Sequence, residues 1–170
     1  YPNVAFVGIL DADVSLYTSD YRSTERTFQL VTQVAGRTGR KNNDGFVVLQ
    51  TYAPKHYVYR FASQYDYVGF YNKEINLRET TMFPPFSHIL RILVSSEDEQ
   101  RCIQTTKKIY DRALKLKQKY GTMFMFLQAM PAPVKRIQKK FRYQILMRVG
   151  LDDNLVRDIY NIADIIEKDV

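Results

Sequence analysis

Gln33-Val34-Ala35-Gly36-Arg37-Thr38-Gly39-Arg40 sets a glutamine and two arginines at fixed spacing, with a glycine before each arginine. Guanidiniums make forked, charge-assisted hydrogen bonds to phosphate oxygens, so two of them brought to one place suit a polyphosphate. The glycines let the chain turn sharply and approach another surface closely. The competing reading is an exposed helix end whose arginines are simply solvated. A second concentration of charge lies at Lys135, Arg136, Lys139, Lys140 and Arg142, five cations within eight residues. Gln138, Phe141, Tyr143 and Gln144 interleave with them. Phosphates attract such a cluster whatever the base sequence. An ordinary solvated loop is the alternative.

Each set needs elements to hold it. Phe28, Val31 and Ala35, with Leu30 and Val34 on the neighbouring row, predict a helix that starts near Ser19 or Asp20 and is broken by Gly36 and Gly39. Before it, Val4–Leu10 is an almost unbroken apolar run, the pattern of a parallel strand covered on both faces, with Asp11 and Asp13 at its carboxyl end. Phe46–Tyr52 reads as a second covered strand, completing a βαβ unit whose crossover should be right-handed. Glu25 and Arg22 stand three apart on the helix and can pair with each other. Pro54 opens a short helix through Tyr57, Tyr59, Phe61 and Ala62. A longer one follows from about Tyr65 to Arg78, and its aromatic rows read as packing. Phe83-Pro84-Pro85-Phe86 cannot be helical and marks a domain junction, giving domains of residues 1–82 and 83–170.

The second half predicts strand, helix, strand, strand, helix. His88–Ser95 is the first strand. Ser96 and Glu99 form a capping-box pattern for a helix ending at Tyr120-Gly121. Thr122–Met130 is a strand that stops at Pro131, and Pro131-Ala132-Pro133 leads into an exposed loop or hairpin. Phe141, Tyr143, Ile145, Met147 and Val149 alternate against Arg142, Gln144 and Arg148, a half-buried strand with a polar face. Asp152 or Asp153 caps a last helix with Leu155, Ile159, Ile162, Ala163 and Ile166 on one stripe.

The totals bound the class. The chain has 170 residues, 45% of them hydrophobic, enough for one domain or two small ones with a core. No apolar run approaches a membrane span, and a cytoplasmic location is expected. A single cysteine, Cys102, excludes an internal disulfide and a cysteine-rich zinc site within these residues, and is expected to pack on a helix face. The net charge of +7 is uneven: residues 1–85 hold 9 basic and 8 acidic side chains, and residues 86–170 hold 16 and 10. The basic excess in the second half favours contact with a phosphate backbone or an acidic peptide. His56 and His88 carry no partner signature and read as surface or packing residues.

The octapeptide has the form Q-x-x-G-R-x-G-R and looks like motif VI of superfamily 2 helicases. With Tyr1–Asp13, Asp20–Leu30, Gly45–Thr51 and Phe83–Phe86 around it, the chain resembles the primosomal protein N-prime, or PriA, family of replication-restart DNA helicases, up to at least Met147. The resemblance implies an α/β fold: a partial RecA-like helicase lobe, followed by a small α+β domain resembling ribosomal protein S10. It gives Gln33 a place near the γ-phosphate, with Gly36, Arg37 and Arg40 beside it, and the arginines stabilise charge during hydrolysis. In the family the magnesium carboxylate lies in the first lobe, so Asp11 and Asp13 are expected to couple the lobes or cap the strand rather than hold metal. Arg22, Glu25 and Arg26 match the family block before motif VI. The C-terminal domain of the family contacts branched or single-stranded DNA and receives the acidic tail of single-stranded DNA-binding protein, in a pocket that Lys140 and Gln144 match. Where some members carry arginine this chain has Lys140, a point charge rather than a fork. Other primosome proteins are expected partners in the bacterial, nucleoid-associated cytoplasm.

No G-x-x-x-x-G-K-[ST] or acidic D-E-x-H box occurs, and the family's zinc-binding cysteine cluster is missing. The chain therefore reads as a C-terminal piece of an ATP-dependent helicase. ATP, magnesium and zinc belong to the full-length protein, and the piece alone is expected to be inactive. It is also expected to self-associate through uncovered sheet edges. The rival expectation is a free-standing α+β nucleic-acid-binding module with no motor role, which would close its own sheet.

Overall fold

A computed structural model describes residues 4–38 and 45–168, with side chains described as far as Asp164. The chain is mixed α/β and divides into two compact units, one ending at Leu77 and one starting at Arg78. Among the described residues no helix is long and apolar enough to cross a membrane.

In the first unit, strand β1 (Phe6–Ile9) pairs in parallel with β2 (Phe46–Leu49), in register from Phe6–Phe46 to Ile9–Leu49. Between them run a short helix α1 (Asp13–Leu16) and helix α2 (Ser23–Ala35). Helices α3 (Tyr57–Ser63) and α4 (Tyr67–Thr81) follow. The core gathers Ile9, Leu16, Phe28, Val31, Val58 and Phe70, with Phe28 stacked on Phe70 at 4.4 Å between ring centroids.

Three expectations change here. Helix α2 starts at Ser23 rather than Ser19 or Asp20, because the Asp20 carboxylate accepts the Arg22 N–H and holds the chain in a turn. The strands are covered on one face only: Val7, Ile9, Val47 and Leu49 face the core, while Phe6 is 56% and Phe46 63% exposed. Helix α4 buries Phe70 and Glu74 but leaves Tyr67, Val68 and Tyr71 exposed, so its aromatics pack only in part.

The second unit has the predicted order. Strand β3 (His88–Ser96), helix α5 (Glu99–Tyr120), strands β4 (Phe124–Ile137) and β5 (Lys140–Val149), and helix α6 (Asp153–Lys168) follow in turn, and the strands form a three-stranded antiparallel sheet of order β3-β5-β4. Helices α5 and α6 pack on one face, where Ile109, Ala113, Phe124, Ile145, Met147 and Leu155 make the core. Helix α5 ends at Tyr120 as expected, with Gly121 at φ 55°, a conformation that costs other residues a clash. Asp152 accepts the Leu155 N–H at the start of α6; the side chain of Ile166 lies outside the described residues.

The cap of α5 and the end of β4 differ from expectation. Asp98, one residue before the helix, accepts the N–H groups of Gln100 and Arg101, and Ser96 instead accepts the Asp98 N–H. Asp at this position caps as well as Ser, and Glu99 is left available for another partner. Strand β4 does not stop at Pro131 but continues to Ile137. It is an edge strand, where the missing N–H of proline costs no ladder bond. The register shifts between Pro131–Tyr143 and Arg136–Phe141, so residues 132–135 bulge opposite Arg142.

Candidate functional sites

The parallel pair sends the first candidates to opposite ends. At the carboxyl end, Asp13 follows β1 and is 5% exposed. Its carboxylate accepts from Tyr52 N–H (2.6 Å), Thr51 Oγ1 (2.7 Å) and Tyr59 OH (3.0 Å). The Tyr52 N–H, followed by the two hydroxyls, holds that carboxyl below its usual range, against the opposing effect of burial. Burial pushes the Tyr59 phenol up to about 12. Asp13 is thus a strand-end tie joining β1, the segment after β2, and α3. Asp11 sits beside it at φ 49°. Among the described residues no group of acids, histidines and cysteines could hold a metal ion.

At the amino end, Thr38 bridges Val4 just before β1. Gln33 lies on the last turn of α2 and Arg37 just beyond it, and both are exposed. Gly36 caps α2 in the right-handed region, at φ −66°, with its N–H donated to Thr32 O. It makes no left-handed turn, and a Cβ there would approach the Thr32 carbonyl oxygen to 3.3 Å, a tight contact. Arg37 forms no ion pair with a described residue. Gly39 and Arg40 lie outside the described residues. Arg22 and Arg26 both pair with Asp20, at 3.5 and 2.8 Å.

The second set sits on a β-hairpin. Strand β4 delivers Lys135 and Arg136, a two-residue turn of Gln138 and Lys139 follows, and β5 starts at Lys140. Both turn residues have positive φ (48° and 67°), the geometry whose twist matches paired strands. Residues 133–140 are all exposed. Their charges are not equivalent. Lys135 Nζ lies 2.7 Å from Glu99 Oε1, and Tyr143 OH donates to the same oxygen at 2.9 Å. Lys135, then Tyr143, keep the Glu99 carboxyl below its usual range. Arg136 lies 4.8 Å over the Phe141 ring, a stacking contact that leaves its guanidinium edge open. Lys140 borders a shallow depression of about 430 Å³ with Ser95, Ser96, Glu97, Arg101 and Thr105.

Gln144 does not join this surface. It is 4% exposed, because on β5 it stands between Leu93 and Met130. A direct contact from Gln144 to a partner, alongside Lys140, is therefore not what the fold presents. Cys102 packs under the hairpin base as expected, its Sγ near Val94 O and Phe141 O, and burial pushes its thiol up. Sequence reasoning missed Glu99 as the neutraliser of Lys135 and Tyr59 as a partner of Asp13. Each contact spans more than thirty residues, and neither has a local signal. His56 has a role that was not expected: its Nδ1 accepts the Val58 N–H and caps α3.

Residues 79–163 match the family described as Primosomal protein N C-terminal domain. The replication restart protein PriA of Bacillus subtilis (strain 168) is 37% identical over 155 residues, which are 91% of this chain and 19% of that protein. The PriA of Synechocystis sp. is 34% identical over 145 residues, 85% of this chain and 17% of that protein. The PriA of Borreliella burgdorferi is 30% identical over 146 residues, 86% and 22%. The chain thus spans about a fifth of the length of these relatives.

Proposed function

This chain belongs to the PriA family of replication restart proteins, and from that membership we propose that it is the C-terminal portion of an ATP-dependent superfamily 2 DNA helicase. Its first unit is part of a RecA-like lobe; its second is an α+β DNA-binding domain like ribosomal protein S10. The observation that carries the reading is the hairpin: Arg136, Lys139 and Lys140 stand exposed on the unit that matches the family's C-terminal domain, while Lys135 is paired with Glu99. Phosphates of branched DNA meet that hairpin, with Arg142 at its base. Lys140, exposed at the rim of the depression that Ser95 and Ser96 also line, offers a cation to an acidic protein tail, such as that of single-stranded DNA-binding protein.

In the motor role, Gln33, Gly36, Arg37 and Arg40 face ATP held by a phosphate-binding loop elsewhere in the longer polypeptide. Magnesium and zinc belong to other parts of that polypeptide. An arginine reaching a nucleotide across a cleft stabilises charge only when the cleft closes, which couples hydrolysis to movement. Two observations support this over a free-standing module: Gln33 and Arg37 are both exposed, and the β1–β2 pair leaves Phe6 and Phe46 bare rather than closing its own sheet. That bare face also makes the isolated chain prone to self-associate, and sedimentation of a clean monomer at high concentration would count against it.

Forked DNA titrated against the chain at several salt concentrations tests the DNA role. Changing Arg136, Lys139 and Lys140 to Ala should weaken binding and flatten the salt slope by about 0.9 for each phosphate that is no longer neutralised. Equal affinity and equal slope would rule the hairpin out as the DNA-binding element.

A further inference from the structure

The face of the second unit's sheet that α5 and α6 leave uncovered is built in rows. The register places Ile89, Arg148 and Phe126 side by side across the three strands. The next row is Arg91, Leu146 and Gln128, and the one after it Leu93, Gln144 and Met130. Met147 and Ile145, which alternate with these residues along β5, point into the core instead, which fixes the rows on the other face. Phe126 and Leu93 are each 40% exposed and Ile89 38%. Arg91 and Gln128 are exposed as well.

Charge on this face has one sign. Arg91 and Arg148 stand in the rows, Arg142 follows on β5 opposite Ser95, and no acidic residue stands in these rows. The Arg148 guanidinium stacks 4.5 Å from the Phe83 ring, and its buried Nε has no hydrogen-bond partner among the described residues. Arg142 leads directly to Lys140 and Lys139 on the hairpin, so cations run from the rows to the tip.

We propose that the exposed part of this face, around Phe126, Arg91 and Gln128 and leaving out the buried Gln144, is a stacking platform for a single nucleic acid strand, with bases lying on Phe126 and between the side chains of Arg91 and Gln128 while phosphates follow Arg142 towards the hairpin. The proposal rests on the DNA-binding reading above and adds a second site to it. A flat sheet with an exposed ring, planar guanidiniums and an amide matches flat bases.

The test uses the whole chain and three probes: oligothymidylate, an abasic strand of equal length, and polyglutamate. The unchanged chain should bind oligothymidylate more tightly than the abasic strand. Phe126→Ala should cost about tenfold or more on oligothymidylate, with the abasic strand and the salt slope unaffected. Phe126→Leu, which keeps the apolar volume and guards against loss of fold, should lose nearly as much. Arg91→Ala should flatten the oligothymidylate salt slope by about 0.7. Equal binding of base-bearing and abasic strands, silent Phe126 variants, or polyglutamate binding that depends on Phe126 would each overturn the platform. Forked-duplex binding by the Lys139→Ala, Lys140→Ala variant, measured in parallel, separates the two claims. Weakened binding there with silent Phe126 variants sinks the platform alone, and unchanged binding there sinks the hairpin reading.

Discussion

Glu99→Gln isolates the electrostatics of the hairpin in one substitution. Glu99 is the residue that makes Lys135 differ from its neighbours: its Oε1 sits 2.7 Å from Lys135 Nζ, and the other hairpin cations have no carboxylate partner at this distance among the described residues. Glutamine keeps an oxygen that can accept the Tyr143 hydroxyl, so the hairpin stays anchored while the charge disappears. Lys135 then becomes available to a phosphate. One more neutralised phosphate steepens the dependence of log K on log salt by about 0.9, which over a fourfold rise in salt is about a 3.5-fold greater loss of affinity. Fluorescence anisotropy with a labelled forked duplex, from about 50 to 200 mM salt, reads this directly. The companion variants sharpen it. Lys135→Ala in the unchanged chain should leave the slope nearly as it was, whereas in the Glu99→Gln background it should remove the gain; Lys140→Ala should flatten the slope in both. If Lys135→Ala alone flattens the slope as much as Lys140→Ala, the ion pair does not neutralise Lys135 in solution and the inequality drawn between these cations is wrong.

Two further predictions concern stability. Burial holds the His56 ring below its ordinary 6.5, against the pull of nearby Glu74 and Asp13, so the unfolded chain takes up the proton more readily than the folded one. Stability of the first unit should therefore be full above about pH 6.5 and decline as pH falls through the depressed value, when Nδ1 can no longer accept the Val58 N–H; thermal melts of the chain and of His56→Asn should diverge in pH dependence, and identical profiles would refute the cap's role. Ile145→Ala, at a fully buried position on the central strand, should cost about 2–5 kcal/mol in urea unfolding, and an unchanged midpoint would contradict the assigned core.

What could be read from the sequence was local. The alternation from Phe141 to Val149, the glycine that stops α5, and the apolar stripe of α6 each have a period or a special residue that decides the element by itself. The failures depend on neighbours. Pro131 reads as a strand stop unless β4 is known to be an edge. Gln144 reads as part of a polar face until Leu93 and Met130 are placed on either side of it. The runs of β1 and β2 read as doubly covered strands, because an apolar residue looks the same whether its partner is present or absent; Phe6 and Phe46 are in fact bare. Short-range pairing rules, which start from positions within the helix, also gave no sign that Asp20, just before it, pairs with both Arg22 and Arg26. The candidate arginine motif was legible as a spacing, and the fold adds that Gln33 and Arg37 lie at the end of the strands opposite Asp13.

The most direct test of the motor claim is steady-state ATP hydrolysis by the longer polypeptide proposed to carry this chain, compared with the same polypeptide bearing Arg37→Ala. If Arg37 meets the nucleotide, kcat falls by about a thousandfold or more while forked-DNA affinity and its salt slope stay unchanged. An Arg37→Ala enzyme that hydrolyses ATP at the original rate would contradict that claim.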